Sequence, residues 1–592
     1  MRMFFVGDQM LNKYSYIKVG IIGTVLLLIW LWMSSSILLF ISTHHIGSVK
    51  PNLYLKMWIN FYKNQHAQKL LIASGLIAAI IILFVALVLS KRVIPNIHGN
   101  ARFATVFDLI TARLFSKKGI YLGKAFSRYL CIDGYEHVTL FAPTGTGKTV
   151  GLTIPNLLSW EDSCVASDIK LQLFQHTSKY RESIGQKVYL WNPGSPDGIT
   201  HCYNPLDVIT DNPYSRIDDI QKIAAIFIPD NPKSEPIWQV QSRFLFVGLV
   251  LYVLDTPEIS KNISEVVRLV KAQPDFAKFV IHVLSTRADL DELCRFNLMK
   301  FSELHEKTRL SILATFQSYF ELFDNPMIAF ATSKSDFNIQ NLRREKMTIY
   351  VGVTNDNLVR LAPLLTVFYQ QVADVLTRKI PGDDEPFGVL FLMDEFSSLR
   401  RMQSFQSNIG LYREYKMRMV LIIQELSQLY DIYGRDGAKV FINAKIRMAF
   451  TQNDIETCKL IESILGNTTL SIKNYSRKIR TLLENTDRNE STQYVARPLL
   501  LAQEIMMLPE ETALIMVQGY PPVYAGKITW FNDMKFKNKM LGAITVNSIL
   551  KKLEVKKESH NVLYSDLETD LSTFDLRDKD FSTQVEELDQ II

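Results

Sequence analysis

Residues 142–149 read Ala142-Pro-Thr-Gly-Thr-Gly-Lys-Thr149, and they decide the fold. Just before them, His137-Val-Thr-Leu-Phe141 is a short apolar run of the kind that forms a buried strand, and a helix-like stretch punctuated by Pro155 follows. Strand, glycine loop and helix together are the context a phosphate-binding loop requires. Gly145 and Gly147 let backbone N–H groups turn toward phosphate oxygens, and the helix N-terminus adds positive potential. The nucleotide-binding residues are therefore expected to be Ala142, Pro143, Thr144, Gly145, Thr146, Gly147, Lys148 and Thr149. Lys148 reaches the β and γ phosphates of ATP, and Thr149 holds Mg2+. Ala142 stands where glycine is usual, a position that tolerates a small residue.

Far downstream, Gly388-Val-Leu-Phe-Leu-Met-Asp-Glu395 is an apolar run that ends in two carboxylates. A continuous apolar run suits a central parallel strand buried on both faces. At its carboxyl end Asp394 is placed to orient the Mg2+ shell, and Glu395 to polarise the attacking water. Further short apolar runs, Ser163–Asp168, Lys187–Leu190, Met347–Gly352 and Met419–Gln424, alternate with helical patterns. That alternation predicts a doubly wound α/β sheet with the nucleotide at its carboxyl edge. Gln424 ends one of these strands, where a polar side chain can sense the γ-phosphate or orient water.

Between Pro205 and about Phe330 helical periodicity takes over, over Trp238–Leu254, Ile263–Val270, Phe276–Leu284 and Thr308–Phe323. This predicts an all-helical insertion within the sheet domain. The polar stretch Leu470–Ser491 reads as a long loop or hairpin.

Two runs without any charged residue precede the soluble part, Val19–Ile41 and Leu70–Ser90, and Lys91-Arg92 close the second. Each exceeds the roughly 18 residues that separate a membrane-spanning helix from a buried core helix. The loop between them is itself basic, so loop charge does not set the orientation, but ATP is cytoplasmic and puts the nucleotide domain on that side. The chain has 592 residues and a net charge of +6. From Glu558 to Ile592 ten acids face two bases, a net of −8 that leaves the rest of the chain at +14. A basic body suits an anionic partner, either nucleic acid or lipid headgroups. Five scattered cysteines, an odd count with no CxxC pair, point to no disulfide framework or zinc site and favour a reducing compartment.

Several of these motifs, in order from His98 to about Asp533, resemble the TraG/TraD-type (VirD-like) coupling proteins of type IV secretion and conjugation. They are His98-Gly-Asn-Ala-Arg-Phe-Ala104, the glycine loop, Ser167-Asp-Ile-Lys170, Cys202-Tyr-Asn-Pro-Leu-Asp207, Asp394-Glu395, Gln424-Glu-Leu-Ser-Gln-Leu429 with Tyr433-Gly434, and Ala496-Arg-Pro-Leu499. Leu171 and Gln172 depart from the Gly-Glu pair usual in that family. The resemblance implies an α/β fold with two N-terminal transmembrane helices and a RecA-like P-loop nucleotide-binding domain carrying an inserted all-helical domain. It implies a homo-hexamer in the bacterial inner membrane, with ATP and Mg2+ as cofactors. Other type IV secretion components would be its partners, and DNA or protein effectors its cargo. By its spacing after Asp394-Glu395, Arg413 matches the family's arginine finger, which completes a neighbour's site.

The expected organisation is a cytoplasmic N-terminus over 1–18, transmembrane helices over 19–41 and 70–90, and a periplasmic loop over 42–69 between them. The nucleotide-binding domain occupies 91–205 and 331–545, the helical insertion 206–330, and the acidic tail 546–592. Acids interleaved with apolar residues in the tail, such as Leu567, Phe574 and Leu588, suit a segment that orders on a basic cargo adaptor or chaperone. Two competing readings remain: an FtsK-type DNA translocase, which shares the motor, and a membrane receptor with a dead P-loop, against which intact Lys148, Thr149, Asp394 and Glu395 argue.

Overall fold

The computed structural model describes residues 25–41, 52–61, 64–89, 97–231, 234–477 and 488–550, so the acidic tail beyond Leu550 and the N-terminus over 1–18 lie outside the described residues. The chain forms two compact units, Met1–Ile97 with Thr469–Val495 and His98–Thr468 with Ala496–Ile592.

In the larger unit, short apolar runs become strands. These are β1 (Ile120–Ala125), β2 (Arg128–Ile132), β3 (Val138–Phe141), β4 (Ser163–Asp168), β5 (Lys187–Trp191), β6 (Met347–Gly352), β7 (Val389–Met393), β8 (Met417–Ile423) and β9 (Ile446–Ala449). Two more, β10 (Asn467–Arg477) and β11 (Arg488–Pro498), fall mostly in the smaller unit and form a separate two-stranded sheet that takes in the described part of the polar stretch read as a loop or hairpin. With β12 (Thr512–Val517) and β13 (Val523–Gly526) the remaining strands join one sheet in the order β2-β1-β13-β12-β9-β3-β8-β7-β4-β6-β5. From β9 to β5 every pairing is parallel, whereas β12, β13, β1 and β2 extend the sheet as an antiparallel flank. Each strand run read from the sequence lies in the parallel part.

Alternate residues of each parallel strand feed two separate cores, as a period of two demands. Phe141, Val165, Ile349, Phe391 and Leu421 point into the core shared with the helical region, while Leu140, Ala166, Tyr350, Leu392 and Ile422 point into the opposite one. Burial on both faces is why these strands read as unbroken apolar runs.

Between β5 and β6 the chain builds the helices Pro213–Phe227, Pro236–Leu254, Ile263–Ala272, Phe276–Thr286, Glu292–Glu303, Glu306–Phe320 and Pro326–Ala331. Pro213 and Pro326 each occupy a first turn behind an asparagine cap, Asn212 or Asn325, whose side chain accepts a backbone N–H. This is the arrangement that starts a helix at least cost. Pro236–Leu254 is apolar enough to cross a membrane, yet most of it is buried inside the protein, where Phe246 stacks on Phe320 at 5.0 Å between ring centroids. It is the core helix of this region.

The smaller unit holds the apolar helices Val25–Ile41 and Gln65–Leu89, with a short helix, Leu53–Phe61, between them. Gln65–Phe84 is long and apolar enough to cross a membrane, with a mean hydropathy of 2.2. The helix begins at Gln65, five residues before the uncharged run. The two long helices approach closely at Gly75, whose carbonyl accepts the Trp30 indole N–H at 2.9 Å. A Cβ on Gly75 would lie 2.5 Å from the Tyr54 hydroxyl, so glycine is required there. Ser34, Ser35, Ser74 and Ala78 are buried in the same unit. Small residues at a helix contact are how apolar helices pack when no hydrophobic force drives them together.

Candidate nucleotide site

β3 sits inside the parallel sheet between β9 and β8, and the glycine loop leaves its carboxyl end. The loop is anchored at its root, where the Ala142 N–H donates to the Ile423 carbonyl at 3.0 Å. Ala142 is fully buried, which accounts for a small residue at this position. Gly145 and Gly147 take φ of +85° and +79°, the left-handed backbone that turns amides inward and that only glycine adopts without strain. The Thr146 hydroxyl braces the loop by donating to the Pro143 carbonyl at 2.8 Å.

The two carboxylates arrive at the end of β7, two strands away across β8. Lys148 bridges them, with Nζ 2.9 Å from Asp394 Oδ1 and 2.6 Å from Glu395 Oε1. Burial works against the ammonium, but the two acids outweigh it and hold Lys148 above the usual lysine value. Burial also raises Asp394, against the pull of Lys148. Glu395 adopts φ of +54°, a left-handed conformation that costs a side-chain-bearing residue about 1–3 kcal/mol and turns its carboxylate into the site. Gln424, just beyond the end of β8, closes the circuit. Its amide N–H donates to Glu395 Oε2, and its carbonyl oxygen accepts from the Thr144 hydroxyl at 2.8 Å. Lys148, Asp394, Glu395, Gln424 and the loop, separated by up to 280 residues in sequence, thus meet at one edge of the sheet.

Thr149 opens a π-helical turn, Thr149–Thr153, that runs into the short helix Ile154–Leu157. Its hydroxyl and the Asp394 carboxylate are hard oxygen donors suited to Mg2+. No cluster of three or more His, Cys, Asp or Glu able to hold a metal occurs among the described residues. Mg2+ itself binds through one or two protein oxygens, with phosphate and water completing the shell.

Arg413 is not part of this cluster. It lies in the turn Ile409–Tyr415 that leads into β8, at the amino edge of the sheet, where it pairs with Glu136 at 3.2 Å. The seven residues of β8, at about 3.3 Å each, put roughly 20 Å between Arg413 and the end of β8 where the site lies. Arg413 is therefore out of reach of its own subunit's loop.

Four other residues carry weight that the sequence reading did not give them. Asp168, at the end of β4, is buried and accepts the Leu173 and Phe174 N–H groups at 3.1 and 2.7 Å, capping the helix Gln172–Ser183. Burial pushes its carboxyl up to about 6, with Asp394 adding to the effect against those backbone bonds. Leu171, where the resembled family has glycine, takes φ of +56°, so the position keeps the backbone that glycine favours. Arg400 follows Glu395 by five residues and donates to the Ile226 and Phe227 carbonyls at 2.9 and 3.2 Å, linking the acids' segment to the helical region. Lys527, from beyond β13, donates to the Thr146 carbonyl at 2.7 Å. Nothing in its local sequence marks it.

The parallel sheet with its glycine loop, lysine and paired acids defines a P-loop ATPase. Among known proteins, the family described as Type IV secretory system Conjugative DNA transfer matches residues 99–553, so the chain belongs to that family. It is 30% identical over 473 residues to the protein VirD4 of Agrobacterium fabrum (strain C58 / ATCC 33970), covering 77% of this chain and 69% of that one. It is 28% identical over 500 residues to the conjugal transfer protein TraG of Escherichia coli, covering 74% and 78%. Its fold is that of the bacterial conjugative coupling protein TrwBdeltaN70, with a TM-score of 0.55 at 17% identity over 74% of this chain and 93% of that one. A structure of TrwB in complex with ADP and Mg2+ matches with a TM-score of 0.53 at 17% identity, over 74% of this chain and 96% of that one.

Proposed function

We propose that this chain is the coupling ATPase of a type IV secretion system, a hexameric inner-membrane motor that uses ATP hydrolysis to deliver DNA or protein substrates to the secretion channel. The observation that carries the reading is the convergence of Lys148, Asp394, Glu395 and Gln424 on the loop. TrwB binds ADP and Mg2+, and the same ligands suit the donors present here. In this reading the domains are two apolar anchors, a nucleotide-binding domain over 91–205 and 331–545, and a helical insertion over 206–330.

Each residue has a distinct task. The inward amides of the loop and Lys148 bind the polyphosphate, which competes with Asp394 and Glu395 for the ammonium. Thr149 and Asp394 would hold Mg2+, which would supply neutralisation of the phosphate charge. Glu395, released by Lys148 and kept in place by Gln424, orients the attacking water and accepts its proton. Arg413 of one subunit completes the site of its neighbour, a role consistent with its position at the opposite edge of its own sheet. Arg400 gives the segment that carries Glu395 a direct hold on the helical region, a route from the state of the nucleotide to cargo handling. The acidic tail recruits a cargo adaptor, a chaperone or a basic signal on the cargo.

The experiment is to purify the full chain in detergent and follow ATP turnover and cargo capture together, crosslinking the protein in cells to whatever it delivers. ATP-dependent capture of DNA or effector protein supports the reading. Robust capture and export by a chain that hydrolyses no ATP would overturn it.

A further inference from the structure

The last strand of the sheet reaches back to the phosphate loop. One residue past β13, the Lys527 N–H donates to the Glu511 carbonyl at 2.7 Å, which fixes its backbone. Its side chain crosses the face of Phe450, with Nζ 4.1 Å from the ring centroid, and ends on the Thr146 carbonyl at 2.7 Å. Phe450 is buried, and its own N–H donates to the carbonyl of Phe141, the final residue of β3, at 3.0 Å. The lysine stem also packs on the helix that leaves the loop, since a Cβ on Gly151 would meet Lys527 Cβ at 3.6 Å. The ammonium is thus aimed, by ring, stem and backbone, at one peptide of the loop.

That peptide has two ends. A phosphate loop points its N–H groups inward to the ligand. The Thr146 carbonyl and the Gly147 N–H belong to the same peptide unit. A cation on the carbonyl oxygen polarises the unit and strengthens the N–H as a donor, as linked hydrogen bonds do in a low-dielectric site. It also fixes the tilt of a peptide flanked by Gly147, a residue with no side chain to hold it. Burial lowers the Lys527 ammonium to about 8, with Glu510 and Glu511 acting in the opposite direction, so keeping the charge here has a cost that packing alone does not require.

We infer that Lys527 is a positioning residue of the nucleotide site, which holds and polarises the Thr146–Gly147 peptide and so sets the affinity for the nucleotide's phosphates without taking part in hydrolysis. This rests on the ATPase reading above. Its bond goes to the loop backbone, whereas the hydrolytic group is Glu395, held by Gln424 and Lys148. Affinity and rate are therefore separable.

The test uses the full-length protein in detergent with ATP and a non-hydrolysable ATP analogue as probes. Lys527→Met keeps the stem over Phe450 and removes the ammonium. It is expected to raise KM for ATP and the Kd for the analogue roughly tenfold, about 1.4 kcal/mol, while kcat stays near wild type. Lys527→Arg, which keeps a cationic donor, should restore most of the affinity. A folded Lys527→Met with unchanged KM and Kd, or a loss of kcat at constant KM, would overturn the inference, and so would Lys527→Arg failing as badly as Lys527→Met. Should Lys527→Met not fold, Lys527→Gln gives the same reading, with weakened affinity in support and wild-type affinity against. Lys148→Ala is the control. If it binds the analogue as tightly as wild type, the nucleotide site itself is wrongly assigned and the role of Lys527 falls with it; if it loses binding while Lys527→Met does not, only the inference about Lys527 fails.

Discussion

At the carboxyl edge of the parallel sheet, Lys148, Asp394, Glu395 and Gln424 are bonded to one another's side chains. Toward the amino edge, the buried guanidinium of Arg418 is bonded to backbone, to the carbonyls of Ile132, Gly134 and Glu136 at 3.0, 2.8 and 2.9 Å. Arg343 follows the same pattern, donating to the Leu376 and Tyr415 carbonyls while pairing with the buried Glu385 at 2.8 Å. Burial lowers Arg418 to about 10, yet no ligand can take its place on a carbonyl that belongs to the fold. Side chains that satisfy each other can exchange those partners for phosphate and Mg2+; a cation satisfied by backbone cannot. Both edges are rich in charge, but at the carboxyl edge the partners are side chains that a ligand can displace, whereas the buried arginines toward the amino edge are held largely by backbone. Of these three arginines Arg413 is the exposed exception. It is more than half exposed, and its partner is another side chain, Glu136.

That exception gives the largest expected effect. Arg413→Ala should lower ATP turnover by about 10³-fold or more, the scale of a lost arginine finger. Mixing Arg413→Ala with Lys148→Ala subunits should restore part of the activity, because some interfaces then pair an intact loop with an intact arginine. No recovery at any ratio, with ring assembly verified, would return Arg413 to the scaffold.

Glu395→Gln should reduce turnover by roughly 10²–10⁴-fold, since it loses the proton acceptor but keeps Lys148 and Asp394 for binding. Retained affinity for an ATP analogue, measured beside the rate, checks this. Wild-type turnover would mean that another group activates the water.

On the scaffolding side, Arg343→Met removes the buried cation from the Glu385 carboxylate and leaves it only the more exposed Arg344 at 3.0 Å and Lys379 at 3.6 Å, so it should cost about 3 kcal/mol of stability, the low end for a broken buried pair. It should appear as an earlier thermal unfolding transition, with nucleotide affinity of the folded protein unchanged. A large loss of affinity without a loss of stability would blur the distinction between the edges. The smallest effect is expected from deleting Glu558–Ile592, which should leave ATP turnover at the wild-type level and lower export of a subset of cargo. Unchanged export of every cargo would make the tail a solubility device, and lost turnover would make it part of the motor.

The parallel strands were legible because burial on both faces writes an unbroken apolar run, and the loop because its glycines and lysine stand together. The antiparallel flank was not. β1 and β2 join through Phe126-Ser127, both with positive φ, where such a tight turn ordinarily advertises itself with Asn-Gly or Asp-Gly. The helix Pro213–Phe227 carries its start signal in Asn212-Pro213 but has charged residues on much of its surface, which dilutes the apolar period. Within the site, Lys148, Thr149, Asp394, Glu395 and Gln424 could be picked out because each lies at the end of a readable strand or in the loop. Lys527 could not, because 381 residues separate it from Thr146 and only the folding of β13 onto the sheet brings them together. Nor does spacing reveal that Arg413 rests on Glu136, 277 residues away.

The central claim is that the carboxyl-edge cluster is a working ATP site, and Lys148→Ala tests it most directly. ATP turnover and analogue binding are to be measured side by side on full-length wild-type and Lys148→Ala protein, purified from membranes in detergent. The account predicts that the substitution abolishes turnover and sharply weakens binding, while the protein still folds and inserts in the membrane. Turnover at the wild-type rate in the purified Lys148→Ala protein would contradict it.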